Sequence, residues 1–351
     1  MKVVHINSDR SYDVIIDCQW REELFKVLAT RDRAAIIVSS SMRSYLLEFP
    51  SLDCEVSYFE IPDGEEGKST KVLLQLWDWL GAAGFTRSDL IVGVGGGAVT
   101  DVAGYAAASW LRGIDWLAIP TTLAGMVDAA IGGKTAINSE YGKNLIGAFY
   151  SPIGVLIDPS WLDTLSDRDF AAGISEVVKT GLIADRKIID LINGKDLSTL
   201  RANKELVHEL IWRSVQVKAS VVSEDFKESF AREALNYGHT LGHAIERDSK
   251  YQLRHGECVS IGMAFMAHLQ FRLGIINQAE RDLHLVTLKS LDLPISYKRD
   301  AWPRLLSAMS LDKKSRGSVL RFVILDGLGS TSRLENPAID DLYNAYLEVS
   351  S

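Results

Sequence analysis

Short apolar runs alternate with segments of helical periodicity through the first part of the chain. Residues 34–38 form a continuous apolar run that predicts a buried strand, followed by a short helix over 42–47. Residues 56–61 predict the next strand and 71–83 a helix. Residues 90–94 predict a strand running into Gly95-Gly96-Gly97, and 116–119 a strand ending at Pro120. This β-α alternation predicts a parallel sheet of the α/β nucleotide-binding kind. After Asp158-Pro159 the pattern changes. Helical spacing dominates 175–184, 204–222, 237–246 and 259–273, interrupted by one β-like stretch, 319–325. Sixteen of the 27 glycines precede residue 159 and six of the seven histidines follow it, so we expect two domains, 1–158 and 159–351.

The composition is that of an ordinary globular protein: 351 residues, 47% hydrophobic and 24% charged. Forty-six acidic residues against 38 basic ones give a net charge of −8, which argues against a nucleic-acid partner but leaves room for a local cationic pocket. Cys18, Cys54 and Cys258 are scattered, with no CxxC, and read as reduced thiols. The N-terminal residues carry no secretory apolar region. The longest uncharged stretches, such as 144–157, are shorter than a membrane span. The expectation is a cytoplasmic protein with no membrane partner.

Several segments carry candidate chemistry. Gly95-Gly96-Gly97 lies between a strand and a helix starting near Val99, where backbone N–H groups can meet a phosphate. Thr121-Thr122 follows a strand end, and Asp63-Gly64-Glu65 with Lys68 reads as a turn and helix cap. Gly132-Gly133-Lys134-Thr135 has the tail of a P-loop, but Asp128 stands where the first glycine belongs, which excludes that motif. Lys134 and Lys143-Asn144, in glycine-rich apolar surroundings, read as an anion site. His239 and His243 are four apart and share a helical face, and His255 follows. Three such imidazoles suit a catalytic zinc with an open position, or are surface or hydrogen-bonded core histidines. The HExxH pattern of metalloproteases is absent. Glu176 and Lys179 form either an exposed i, i+3 pair or a buried one. Lys218, Glu228 and Arg232 are individually unremarkable helical charges.

Read together, these segments resemble the dehydroquinate synthase branch of the sugar phosphate cyclase family. The resemblance runs from about residue 63 to 329. It is carried, in family order, by Gly96-Gly97-Ala98-Val99-Thr100-Asp101, Leu111-Arg112-Gly113, Pro120-Thr121-Thr122, Gly132-Gly133-Lys134-Thr135, Gly142-Lys143-Asn144, Ser175-Glu176-Val177-Val178-Lys179, Asn236-Tyr237-Gly238-His239-Thr240-Leu241-Gly242-His243, His255-Gly256-Glu257 and Asp312-Lys313-Lys314. It implies a dehydroquinate synthase-like fold: an NAD-binding α/β domain with a parallel sheet (1–158), then a mainly α-helical metal- and substrate-binding domain (159–351). It implies bound NAD+ and one divalent metal, Zn2+ or Co2+. The implied reaction converts the anionic sugar phosphate 3-deoxy-D-arabino-heptulosonate 7-phosphate to 3-dehydroquinate and phosphate, the second step of the shikimate pathway.

Carried over residue by residue, the resemblance implies that Glu176, His239 and His255 are metal ligands. His243 would serve the phosphate and proton transfer. Lys134, Asn144, His243 and one lysine of Lys313-Lys314 would surround the phosphate, with Arg112 supplied by the partner in a homodimer. Lys218 and Arg232 would hold the carboxylate. Asp128, Glu176, Lys179 and Asn236 would position hydroxyls, and Glu228 matches a proton acceptor. The dinucleotide would meet Asp63, Gly64, Glu65, Lys68, Gly97, Ala98, Val99, Thr100, Asp101, Thr121, Thr122, Lys134, Lys143, Trp161, Leu162, Asp163 and Thr164. Thr100 stands where many members have glycine, and Ser39-Ser40-Ser41 where an acidic or amide residue is common. The rivals are cyclases making 2-epi-5-epi-valiolone, 2-deoxy-scyllo-inosose or aminodehydroquinate, and a polyol dehydrogenase that would release NADH. Substrates of the first two lack a carboxylate, whereas Lys218 with Arg232, Asn236 and His243 match the dehydroquinate pattern.

Overall fold

The computed structural model describes residues 1–46, 53–227, 231–315 and 319–351; of 231 and 311–315 it describes the backbone alone. The chain forms two compact units, Met1–Leu165 with Lys218–Lys227, and Ser166–Val217 with Glu228–Ser351.

The first unit is built on strands β1 (Lys2–Ile6), β2 (Tyr12–Ile16), β3 (Arg33–Ser39), β4 (Glu55–Ile61), β5 (Leu90–Gly95), β6 (Asp115–Pro120), β7 (Lys134–Ser139), β8 (Gly142–Phe149) and β9 (Gly154–Ile157). Helices α1 (Trp20–Leu28), α2 (Thr70–Ala82) and α3 (Gly97–Ser109) complete it. Seven strands form one sheet in the order β1-β2-β9-β6-β5-β3-β4. All neighbours are parallel except β1, which runs antiparallel to β2 at the edge. Central strands β3 and β5 are buried on both faces, which their unbroken apolar sequence requires. The strands expected at 34–38, 56–61, 90–94 and 116–119 lie within β3 to β6. The short helix expected at 42–47 is a 3-10 helix, Ser40–Tyr45, with no buried residue, and position 47 lies outside the described residues. Its serines offer no apolar face for a helix to bury. β7 and β8 form a separate hairpin.

The second unit holds α4 (Asp167–Ile183), α5 (Arg186–Ile192), α6 (Leu197–Ala202), α7 (Lys204–Glu224, whose end counts with the first unit), α8 (His239–Asp248), α9 (His255–Arg272), α10 (Gln278–Ser290), α11 (Trp302–Ser315) and α12 (Ile339–Glu348). The expected strand at 319–325 is β10 (Arg321–Leu325), which pairs antiparallel with β11 (Thr331–Glu335). Helix α9 packs against α4, α8, α10 and α12 and is buried almost all round, as an uninterrupted apolar helix must be. Among the described residues, no helix is long and apolar enough to cross a membrane. Cys18, Cys54 and Cys258 are buried thiols outside any disulfide.

Two glycines set how closely other backbone approaches α9. A Cβ on Gly262 would lie 1.9 Å from the carbonyl oxygen of Gly238, and one on Gly256 would lie 1.8 Å from that of Ala172. Neither neighbour is a flexible side-chain tip, so the backbones themselves would have to separate. Gly262→Ala should therefore destabilise the fold by at least the roughly 1–3 kcal/mol of ordinary overpacking. The check is the urea midpoint at unchanged m-value; a wild-type midpoint would show that this close approach is not required.

Candidate active site

In the first unit the chain runs from β3 outward to β4, then crosses to the other side of β3 for β5 and β6. The strand order thus reverses between β3 and β5, and ligands of open α/β sheets bind beyond the carboxyl ends of strands at such a reversal. β5 ends in Gly95-Gly96-Gly97, where α3 begins with Gly96 at its cap. Beside it, the Thr121 N–H donates to the Gly95 carbonyl at 2.9 Å, and the Gly125 N–H donates to the Thr122 hydroxyl at 3.1 Å. Thr100 is buried and donates its hydroxyl to the Gly97 carbonyl at 3.0 Å, so its bulk turns inward. At the end of β3, the Ser41 hydroxyl donates to Asp63 at 2.6 Å.

The segment 63–68 meets α3 and the β7–β8 hairpin through a polar network. Lys68 is 3% exposed; its Nζ donates to Asp101 at 2.5 Å and to the Asn144 side-chain oxygen. Its carbonyl accepts the Asn138 N–H at 2.8 Å. Glu65 takes Lys143 at 2.9 Å and the Asn138 amide at 2.7 Å. In the hairpin Ile137 pairs with Ile146 but Ser139 with Gly142, so residues 143–145 bulge opposite 138. Asn144, in that bulge, has φ +56°, a conformation asparagine tolerates better than most residues. Its N–H donates to the Asn138 side chain at 3.1 Å. Asn138, a hub of this network, carried no sequence signal. The Gly132 N–H, donating to the Tyr12 hydroxyl at 3.0 Å, anchors the turn before Lys134, which stands exposed at the start of β7. Asp128, on the turn Gly125–Ala129, accepts the Lys218 ammonium. Leu111 and Arg112 are exposed, with φ +49° and +66°. Trp161 and Leu162 are buried, Trp161 packing on Trp20 with ring centroids 5.3 Å apart, while Asp163 and Thr164 are exposed.

In the second unit α4 carries Glu176 and Lys179, α8 carries His239 and His243, and α9 begins at His255. Glu176 and Lys179 are each 2% exposed, so the i, i+3 spacing is a buried ion pair rather than a solvated one. Lys179 lies against Glu176 Oε2 outside hydrogen-bond geometry, and neither carboxylate oxygen accepts a hydrogen bond. His255 Nε2 stands 3.4 Å and His239 Nε2 3.9 Å from Glu176 Oε1. One nitrogen from each of His239, His243 and His255 lies within 4.8 Å of the others. The His239 ring centroid is 5.2 Å from that of His243 and from that of His255.

Electrostatics sort the imidazoles. Burial, joined by the Lys179 charge, holds His239 well below its ordinary value, so it is neutral. Its Nδ1–H donates to the Tyr237 carbonyl at 3.1 Å, which leaves the Nε2 lone pair facing Glu176. Burial also opposes charge on His255, but the carboxylates of Glu176 and Glu246 push it above its ordinary value. Burial would raise Glu176 too; Lys179 and the imidazoles overcome it and keep the carboxylate ionised. A buried, ionised carboxylate with no hydrogen-bond donor, facing two imidazole nitrogens, fits a divalent cation. Sequence reasoning missed Glu246, although it stands at the end of the histidine motif. Arg232 is buried and Asn236 half-buried in the same unit. Glu228 lies outside the described residues, as do the side chains of Lys313 and Lys314.

Comparisons with known proteins agree with this chemistry. Family models described as 3-dehydroquinate synthase N-terminal and C-terminal match residues 58–172 and 173–315. The chain is 46% identical over 343 residues to a 3-dehydroquinate synthase of Streptomyces avermitilis, covering 96% of this chain and 94% of that one. It is 47% identical over 354 residues to one from Mycolicibacterium vanbaalenii, covering 99% and 98%. Among solved structures, a 2-epi-5-epi-valiolone synthase from Streptomyces hygroscopicus with NAD+ and Zn2+ bound superposes with TM-score 0.90 at 27% identity, covering 99% and 98%. A 2-deoxy-scyllo-inosose synthase complexed with carbaglucose-6-phosphate, NAD+ and Co2+ gives 0.87 at 26%, covering 99% and 100%. With both halves matched and near-half identity sustained along its length, the chain belongs to the 3-dehydroquinate synthase family.

Proposed function

We propose that the chain is an NAD- and metal-dependent carbon–oxygen lyase, a 3-dehydroquinate synthase. It turns 3-deoxy-D-arabino-heptulosonate 7-phosphate into 3-dehydroquinate and phosphate. The observation that carries this choice is the contrast in identity: 46% and 47% to synthases of that name, against 27% and 26% to cyclases named for other products.

Glu176, His239 and His255 would hold the metal, Zn2+ or Co2+. When bound, the metal supplies Lewis acidity at a carbinol oxygen. The strand-end turn around Gly97, with Thr121-Thr122 and the Lys68–Asp101 network, would hold NAD+. When bound, NAD+ supplies reversible two-electron storage, so a carbinol can be oxidised, phosphate eliminated and the hydride returned without net redox change. The side chains do the rest. Lys134 and Asn144 bind the phosphate, and His243, the exposed member of the imidazole cluster, moves a proton at its oxygen. Lys218 and Arg232 take the carboxylate; Asp128, Lys179 and Asn236 orient hydroxyls. Fixing charged ends in this way restricts the geometry of ring closure.

We further propose a homodimer in which Arg112 serves the partner's phosphate site. Its exposure on a left-handed turn supports this, as do the exposed Tyr141, Leu145, Ile146 and Phe149 on the hairpin of the same unit.

Purified protein with NAD+ and Zn2+ should release equimolar phosphate and 3-dehydroquinate from the heptulosonate phosphate, with no net NADH. Accumulating NADH from a simple polyol instead would replace this reading with a dehydrogenase. His255→Ala should lose its zinc by elemental analysis, and unchanged zinc content would refute the ligand set. Lys134→Ala should lower kcat/KM about 10- to 150-fold, the worth of a charge-assisted phosphate contact of roughly 1.5–3 kcal/mol. Wild-type kinetics in that variant would remove Lys134 from the site.

A further inference from the structure

The motif Gly238-His239-Thr240-Leu241-Gly242-His243-Ala244-Ile245-Glu246 ends in a residue the proposed chemistry does not use. Glu246 follows His239 by seven positions and His243 by three, so α8 presents all three along one face. Its side chain is 6% exposed, and a carboxylate so placed is costly unless paired. Glu246 Oε2 stands 3.5 Å from Nδ1 of His255, whose Nε2 faces Glu176. His239 shows the same division of labour, with Nδ1 on a backbone carbonyl and Nε2 toward Glu176. The two rings differ in what else holds them. The His239 side chain is 9% exposed and clamped by packing, whereas that of His255 is 39% exposed and has solvent on one side.

We infer that Glu246 is a positioning residue for the metal centre. It accepts the Nδ1–H of His255, fixes the ring's orientation and tautomer, and so keeps an Nε2 lone pair aimed at the cation. An anionic acceptor behind a ligating imidazole also makes that imidazole a stronger donor, and removing such a partner typically lowers metal affinity 10–100-fold. The inference rests on the metal site proposed above.

The test measures Zn2+ binding directly, on full-length protein stripped of metal and titrated against a chromophoric chelator. Glu246→Ala should raise the zinc Kd about 10–100-fold, and excess Zn2+ should restore its turnover. Glu246→Gln, whose amide oxygen can still accept the Nδ1–H, should recover most of that affinity. A natively folded Glu246→Ala variant whose Kd is within about twofold of wild type overturns the inference. Nitrogen-15 spectra of the zinc-loaded wild type decide it even if Glu246→Ala does not fold. His255 should be protonated on Nδ1 and metallated on Nε2, and the reverse pattern overturns the inference. Wild-type protein that binds no zinc overturns the metal site and this role with it. Zinc bound equally by wild type and Glu246→Ala removes the role alone.

Discussion

The second unit is organised around one unfavourable act, the burial of the Glu176 carboxylate. At 2% exposure it gives up hydration, and no protein hydrogen bond replaces it. Such a group is tolerated only where opposite charge stands close by. Lys179, one turn along α4, supplies part of that charge, and two imidazoles face the same carboxylate. Lys179 in turn helps keep His239 neutral. The carboxylate therefore stays anionic and the imidazole keeps its lone pair, the two states in which each can ligate a metal.

That arrangement needs α4, α8 and α9 at close quarters, and the sequence provides for it in plain ways. Gly262 lets the backbone at Gly238, next to His239, lie on α9, and Gly256 lets α4 approach beside His255. Arg168 from α4 ion-pairs with Glu257 at 2.6 Å, and Arg254 with Asp169 at 2.7 Å, which ties the first turn of α9 to the start of α4. The geometry of this carboxylate–imidazole cluster is a property of helix packing, and a change in packing would move the imidazoles before it touched their chemistry.

Much of this was legible in the sequence. Strands β3 and β5 announce themselves because burial on both faces demands unbroken apolar runs. Helix α9 does so because a helix surrounded by others must be apolar all round. The imidazole pair His239 and His243 is visible because four residues make one helical turn. The β7–β8 hairpin was not legible. Its apolar residues include exposed ones, Leu145 and Ile146, and its bulge depends on backbone geometry at Asn144 that no periodicity reports. Glu246 was hidden for another reason. A carboxylate three positions from a histidine looks like helix surface until tertiary packing buries it. Asn138 joins residues far apart in sequence, and contacts of that kind leave no local pattern.

The chain carries a net charge of −8 yet is proposed to bind a substrate bearing both phosphate and carboxylate. The two are compatible. Lys68, Lys179 and Lys218 are all buried, and each is held by a carboxylate: Asp101, Glu176 and Asp128. Pairing stabilises a buried ammonium and fixes its direction, but it also cancels much of its pull on an arriving anion. A substrate carboxylate reaching Lys218 would compete with Asp128 for the same protons, exchanging one ion pair for another. The electrostatic gain of that exchange is modest, so fit decides it more than charge. A sugar phosphate without a carboxylate would leave the Lys218–Asp128 pair intact and draw no benefit from it. In an acidic protein, selectivity for a substrate carboxylate can therefore reside in a dry, paired cation whose partner can be exchanged, with no basic surface required.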